Sequence, residues 1–228
     1  MIKDKIREFI YKRYTISFSK SGDDIQLMKL IKNSSPGLYV DIGSWHPVKA
    51  SNSYFFHLRG WKGICIDPNP EMIDLYAKLR PTDIFLNCAV GDSVQNLNYY
   101  MLTDNYSSMN TLDYNFIVSH KLENEVKEVK NIPVYNLKTL LEQHVNSNDR
   151  LDFFDIDVEG YDLEVLKTND WDKFRPKIII IETDIAIQDD INSPVTQYLA
   201  RQKYRLLGKS IIDQNLGNLF FIDDTLEA

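Results

Sequence analysis

Cysteine is scarce in this chain: Cys65 and Cys88 are the only two in 228 residues, and each lies inside an apolar, strand-like run. Small buried thiols in a reducing cytoplasm are therefore expected, rather than a disulfide or a thiolate metal pair. No window approaches the roughly 20 apolar residues of a membrane span, and the charged first 14 residues lack the apolar core of a secretion signal. The expectation is a cytoplasmic protein without a membrane partner. Positive charge is in deficit, with 26 Lys and Arg against 33 Asp and Glu for a net charge of -7. That balance argues against a broad nucleic-acid footprint. Also missing are a nucleophile elbow, a phosphate-binding Walker loop, an HExxH helix and a CxxC pair, which counts against hydrolase and zinc chemistry. Internal repeats and low-complexity segments are absent too.

What is present is an alternation of strand-like and helix-like stretches. Residues 1–13 space Ile2, Ile6, Phe9 and Ile10 at helical intervals, and a second helix bearing Ile25, Met28, Leu30 and Ile31 follows Asp23 and Asp24. We read 1–35 as an N-terminal helical extension and 36–228 as one α/β domain. The domain opens on Leu38-Tyr39-Val40-Asp41-Ile42-Gly43, a strand that delivers an acid and then a glycine able to turn sharply. Residues 51–58 read as a helix, and Gly63-Ile64-Cys65-Ile66-Asp67 as a second strand ending in an acid, which completes one βαβ unit. A helix over 71–79 and a third strand over 84–90 continue the rhythm. The middle is less regular, with an added strand over 95–102, a mobile polar loop over 103–111, an extended piece over 126–134 and a helix over 137–144. Residues 151–157 form a strand, and the four isoleucines 178–181 make a central one buried on both sides, ending at Glu182. A helix near 195–202 and strands at 204–207 and 218–222 close the chain.

Two constellations carry chemistry. Asp41 and Gly43 are followed 26 positions later by Asp67, at the end of the next strand, where a carboxylate can accept both ribose hydroxyls. Ser44, Trp45 and His46 stand where close approach to a pyrophosphate needs more glycine, so a nucleoside without phosphates is favoured over a dinucleotide. The bland alternative is that Asp41 caps a turn and Asp67 is an ordinary loop acid. The second constellation is Asp155, Asp157 and Glu159 at alternate positions, with Glu182 ending the following strand. If extension runs through Glu159, the three share one face. A general base, a divalent cation held by oxygen ligands and a solvated turn are the competing readings. His46 offers a proton acceptor near neutrality, and Lys49, Ser51 and Asn52 add polarity to its loop.

The ordered set Tyr39-Val40-Asp41-Ile42-Gly43, His46-Pro47, Ser51-Asn52-Ser53, Gly60-Trp61-Lys62-Gly63, Ile66-Asp67-Pro68-Asn69-Pro70 and Asp155-Ile156-Asp157-Val158-Glu159-Gly160 resembles the FkbM family of S-adenosylmethionine-dependent methyltransferases. The likeness runs from about Ser21 to Phe221. It implies a class I methyltransferase (Rossmann-like) fold, a seven-stranded sheet with helices on both faces. It also implies adenosylmethionine near Asp41, Gly43 and Ser44, ribose on Asp67 with Pro68 beside it, and adenine near Ala89 to Asp92, with Asp155 on the cofactor side. The implied reaction is O-methylation of a sugar hydroxyl, on a nucleotide-linked sugar or a glycan precursor of a surface polysaccharide. For that reaction His46, Asp157 and Glu159 are the candidate catalytic groups, and Trp45, Lys49, Ser51, Asn52 and Glu182 the candidate substrate contacts. A divalent metal and a homo-oligomer are left open. The alternatives are a non-catalytic nucleoside-binding module of the same fold and, less favoured, an NAD-dependent dehydrogenase.

Overall fold

The computed structural model describes residues 9–10, 13–32, 35–92 and 95–226. The expected helix over residues 1–13 therefore falls almost wholly outside the described residues. A seven-stranded sheet runs in the order β3-β2-β1-β7-β8-β10-β9. Its members are β1 (Leu38–Ile42), β2 (Lys62–Ile66), β3 (Ile84–Leu86), β7 (Leu151–Ile156), β8 (Ile178–Thr183), β9 (Tyr204–Asp213) and β10 (Leu216–Asp223). Pairing is parallel from β3 through β8, while β10 runs antiparallel to both β8 and β9. The chain builds outward from β1 in one direction and from β7 in the other. The carboxyl ends of β1 and β7 therefore flank the switch point, where open α/β sheets hold their ligands.

Strand alternation fills both faces. Ile179 and Ile181 belong to one core with Val40, Ile64, Phe154 and Phe221, whereas Ile178 and Ile180 belong to another with Tyr39, Cys65, Phe153 and Phe220. On the first side pack α5 (Leu137–His144), α6 (Asp162–Lys167) and α8 (Pro194–Arg201), through Leu137, Leu141, Val165, Leu166 and Leu199. On the second pack α1 (Asp23–Ile31), α2 (Tyr54–His57) and α3 (Ile73–Leu79), through Leu27, Ile31, Phe55, Phe56 and Tyr76. All four isoleucines of β8 are at most 1% exposed, as expected for a strand covered on both sides. Cys65 and Cys88 are free and buried.

Three expectations need correction. The strand over 84–90 is two: β3 stays in the main sheet, while β4 (Ala89–Val90) leaves it to pair with β6 (Val126–Tyr135). The helix over 51–58 shrinks to α2, because Ser51 and Ser53 serve as turn and cap residues; the Ser51 hydroxyl accepts the Tyr54 N–H at 3.1 Å. The polar loop over 103–111 contains a 3-10 turn, Asp104–Met109. A small sheet of order β4-β6-β5, where β5 is Gln95–Leu102, carries that turn and α4 (Tyr114–Ser119) out over the ends of β1 and β7. A short helix, α7 (Ile187–Asp190), follows β8.

Candidate active site

At the end of β1 the chain turns at Gly43 with φ of 82°, a left-handed conformation that glycine adopts without strain. A Cβ at Gly43 would run into the Asp157 carbonyl oxygen, so this turn can lie against the end of β7 only with glycine here. Hydrogen bonds fix the junction: Gly43 and Ser44 donate their N–H groups to the Ile66 carbonyl at 2.9 and 3.2 Å, and Asp157 donates to the Ile42 carbonyl at 2.9 Å. The ends of β1, β2 and β7 are thereby held together.

Three spaces open there. The first, about 530 Å³, is walled by Ile66, Asp67, Pro68, Ala89, Tyr99 and Leu112, with Gly43 and Trp45 at its floor. Its lining is mainly apolar with the carboxylates of Asp67, Asp157 and Glu159 at its walls, a composition compatible with a nucleoside. Asp67 accepts the Trp45 N–H at 2.9 Å and the Asn69 N–H at 2.8 Å. Burial, only partly opposed by those two donors, pushes its carboxyl up to about 6. The second, about 430 Å³, is lined by Asp41, Ser44, Ser51, Asn52, Asp155 and Lys20. Asp41 accepts a hydrogen bond from the Ser53 hydroxyl, and Asp155 accepts from Asn52 Nδ2 at 3.2 Å. The third is a cleft of about 1390 Å³ between β8, the 3-10 turn Asp104–Met109 and α6, lined by Lys20, His120, Asp162, Glu182 and Asp184. Asp157 and Ser108 line all three spaces, and Glu159 separates the first from the third.

Asp157, Glu159 and Glu182 do converge, with one carboxylate oxygen of each within 4.8 Å of the others. They do not arrive by extended alternation. β7 stops at Ile156, and Glu159 and Gly160 adopt φ of 52° and 91°, folding the acid back over the strand end. Burial, then Glu182 and Glu159, raises the Asp157 carboxyl well above the ordinary range. Burial, then Glu182 and Asp162, does the same to Glu159. Lys20 lies 3.8 Å from Glu182 on the cleft side. Asp162 accepts the Val158 N–H at 3.2 Å, and burial pushes it up to about 7. By donor type the three converging acids suit a divalent cation, with Lys20 as a competing positive charge.

The other sequence candidates divide. Trp45, Pro68, Ala89, Ser51, Asn52, Asp155 and Glu182 line one or another space. His46 lines none of the three; its Nδ1 accepts the Val48 and Lys49 N–H groups at 3.0 Å each, and burial, with Lys49, lowers its pKa. This imidazole is a neutral turn acceptor, so a catalytic role for it gains no support from its position. Lys49 is exposed, as is Asp92, and neither lines a space, whereas Ala89 and Val90 do. Sequence reasoning missed Lys20, Tyr99, Ser108 and Asp162. Only Ser108 left a trace, an Asn- and Ser-rich connection too long to serve merely as a link.

Sequence comparison matches residues 41–206 to the methyltransferase FkbM domain. No curated relative matches the chain. Solved structures align over most of the chain but loosely. A precorrin-6y C5,15-methyltransferase from Geobacter metallireducens GS-15 is 9% identical with a TM-score of 0.47, covering 87% of this chain and 86% of its own. The human methyltransferase 10 domain containing protein is 14% identical with a TM-score of 0.46, covering 88% and 79%. An O-methyltransferase from Bacillus cereus in complex with SAH is 11% identical with a TM-score of 0.38, covering 97% and 98%. The domain match spans well over half of the residues and includes both acidic strand ends that build the site, so the chain belongs to the FkbM family of S-adenosylmethionine-dependent methyltransferases.

Proposed function

We propose that the protein methylates a hydroxyl of a sugar that enters the acidic cleft, with the cofactor's adenosine in the slot beside Asp67. When bound, S-adenosylmethionine supplies a methyl group activated by a sulfonium for in-line displacement. The protein's task is to hold the acceptor oxygen in line and take its proton. One observation carries the reading: Asp157 and Ser108 line the nucleoside slot, the small polar space and the cleft alike, so they flank the point where cofactor and acceptor must meet. Asp157 is the base in this reading, since a carboxyl raised by burial and neighbouring acids accepts a proton more readily near neutrality. Glu159 and Glu182 orient the hydroxyl; the acids offer acceptors to a polyol, and Met109, Phe116, Ile185, Val195 and Leu219 offer apolar surface to a ring face.

The cleft's charge bears on which sugar. Among the described residues, Asp157, Glu159, Asp162, Glu182 and Asp184 face only Lys20 and His120 in its ionisable lining. A diphosphate-linked sugar would meet like charge, so a neutral or amino-bearing sugar at the end of a glycan fits better than a nucleotide sugar. A screen of neutral glycosides, amino sugars and nucleotide sugars with adenosylmethionine, read by a mass gain of one methyl group, tests this. Neutral or amino sugars should gain the methyl group. Turnover confined to nitrogen or carboxylate acceptors would overturn the reading.

A further inference from the structure

The small polar space adjoins the nucleoside slot through Gly43, Trp45, Ser108 and Asp157, which line both. A ligand whose adenosine fills the slot would extend its amino-acid end into that space. Such an end carries an ammonium and a carboxylate, and the two need opposite partners. Acids are plentiful there: Asp41, Asp155 and Asp157. Lys20 is the sole ionisable cation in the lining among the described residues. A second observation marks the same place. Ser44 lines this space and is 7% exposed, and its hydroxyl makes no well-formed hydrogen bond among the described residues, its polar neighbour being the Tyr76 hydroxyl. A buried hydroxyl without a well-formed hydrogen bond is costly, so a ligand oxygen reaching Ser44 from this space would relieve that cost. Lys20 is free to respond, because its side chain is 39% exposed and its pairing with Glu182 is long at 3.8 Å.

Resting on the cofactor assignment, we propose that Lys20 and the Ser44 hydroxyl together hold the carboxylate of the cofactor's amino-acid end. Lys20 precedes the segment matched by the family domain, 41–206, so this contact comes from the N-terminal part of the chain. It also stands where the small space opens into the cleft, so cofactor binding would draw the ammonium away from Glu182. The acceptor side would then be left more acidic.

Calorimetric titration of the full chain with S-adenosylmethionine and with decarboxylated S-adenosylmethionine separates the carboxylate from the rest of the ligand. Lys20→Met should weaken binding of the intact cofactor by about tenfold to hundredfold, as for loss of a charged hydrogen bond, and change that of the decarboxylated form by less than about twofold. Lys20→Arg should restore most of the loss, and Ser44→Ala should show a smaller loss with the same selectivity. Equal affinity of wild type and Lys20→Met for the intact cofactor overturns the assignment, as does an equal loss for both ligands. If the wild type binds neither adenosine ligand, the cofactor reading fails, and this inference fails with it.

Discussion

The Asp67 carboxylate gives one oxygen to the Trp45 N–H and the other to the Asn69 N–H, and the residue lines the space proposed for the nucleoside. Burial pushes it up to about 6, so its charge is lost within a usable pH range. Ribose hydroxyls donate best to the ionised form, and adenosylhomocysteine affinity should fall about tenfold per pH unit below 6. The stability effect has the opposite sign. A folded pKa above the unfolded value of about 3.9 contributes stability below that value, and the contribution is lost as pH rises through 6. Asp67→Asn keeps one acceptor for the loop and should bind weakly with a flat profile between pH 5 and 7. Calorimetry at three pH values is sufficient, and an unchanged slope in the variant would rule out Asp67 as the ribose ligand. This residue was legible in sequence because its partners are local: a strand end, a following proline, and a glycine turn 24 positions earlier. Lys20 was not, since nothing near it in the chain announces that it will stand beside Glu182.

Between elements, residues 103–125 act as a lid in this reading, with Ser108, Asn110, Leu112, Phe116 and His120 lining the spaces of the site. Its base is pinned where Thr103 donates its N–H to the Glu125 carbonyl at 2.9 Å and its hydroxyl to Glu125 Oε2 at 2.7 Å. Its tip is tied to the body by the Thr111 hydroxyl, which donates to the Glu159 carbonyl at 2.8 Å, while His120 Nε2 lies 3.5 Å from Asp184 across the cleft. Thr111→Val keeps the shape and removes the first tie. A hydrogen bond of about 1 kcal/mol corresponds to roughly fivefold weaker cofactor binding, with the loss in the dissociation rate. Stopped-flow release of adenosylhomocysteine should show it, and an unaltered release rate would mean that the lid is not held through Thr111. The lid was poorly legible because its order comes from tertiary ties. Residues 103–111 are polar without apolar periodicity and read as a loop until Glu159 is seen to fasten them, and α4 is not legible in the sequence because Ile117 finds its packing against Leu102 and Leu122. The break between β3 and β4 was hidden for a related reason: Ile84 to Val90 is apolar almost throughout, and only pairing with β6 draws Ala89 out of the main sheet.

For the molecule as a whole, function works against stability. Asp155, Asp157, Glu159 and Glu182 all have raised carboxyls, with burial the largest cause and repulsion from nearby acids adding to it, and Asp162 is pushed up to about 7. The strand ends and their order made this gathering legible in advance, because neighbouring parallel strands that end in acids must collect charge at one edge. Each of these groups binds its proton more tightly when folded than when unfolded. Their contribution to stability is therefore full at low pH and lost as pH rises through their folded pKa values. The ligand-free protein should melt higher at pH 5.5 than at pH 8, whereas methyl transfer, which needs an ionised base, should run the other way. Asp157→Asn separates the two demands. One Asp157 oxygen is buried without a partner, and the amide removes a charge that Glu159 and Glu182 repel. Relief of about 1 kcal/mol or more raises the melting temperature by roughly 2–4 °C in a chain of this size. The same substitution should abolish turnover and leave adenosylhomocysteine binding within about threefold of wild type. A variant that melts lower at pH 8, or that still turns over, would show that Asp157 is a structural acid and would move the base elsewhere in the cleft.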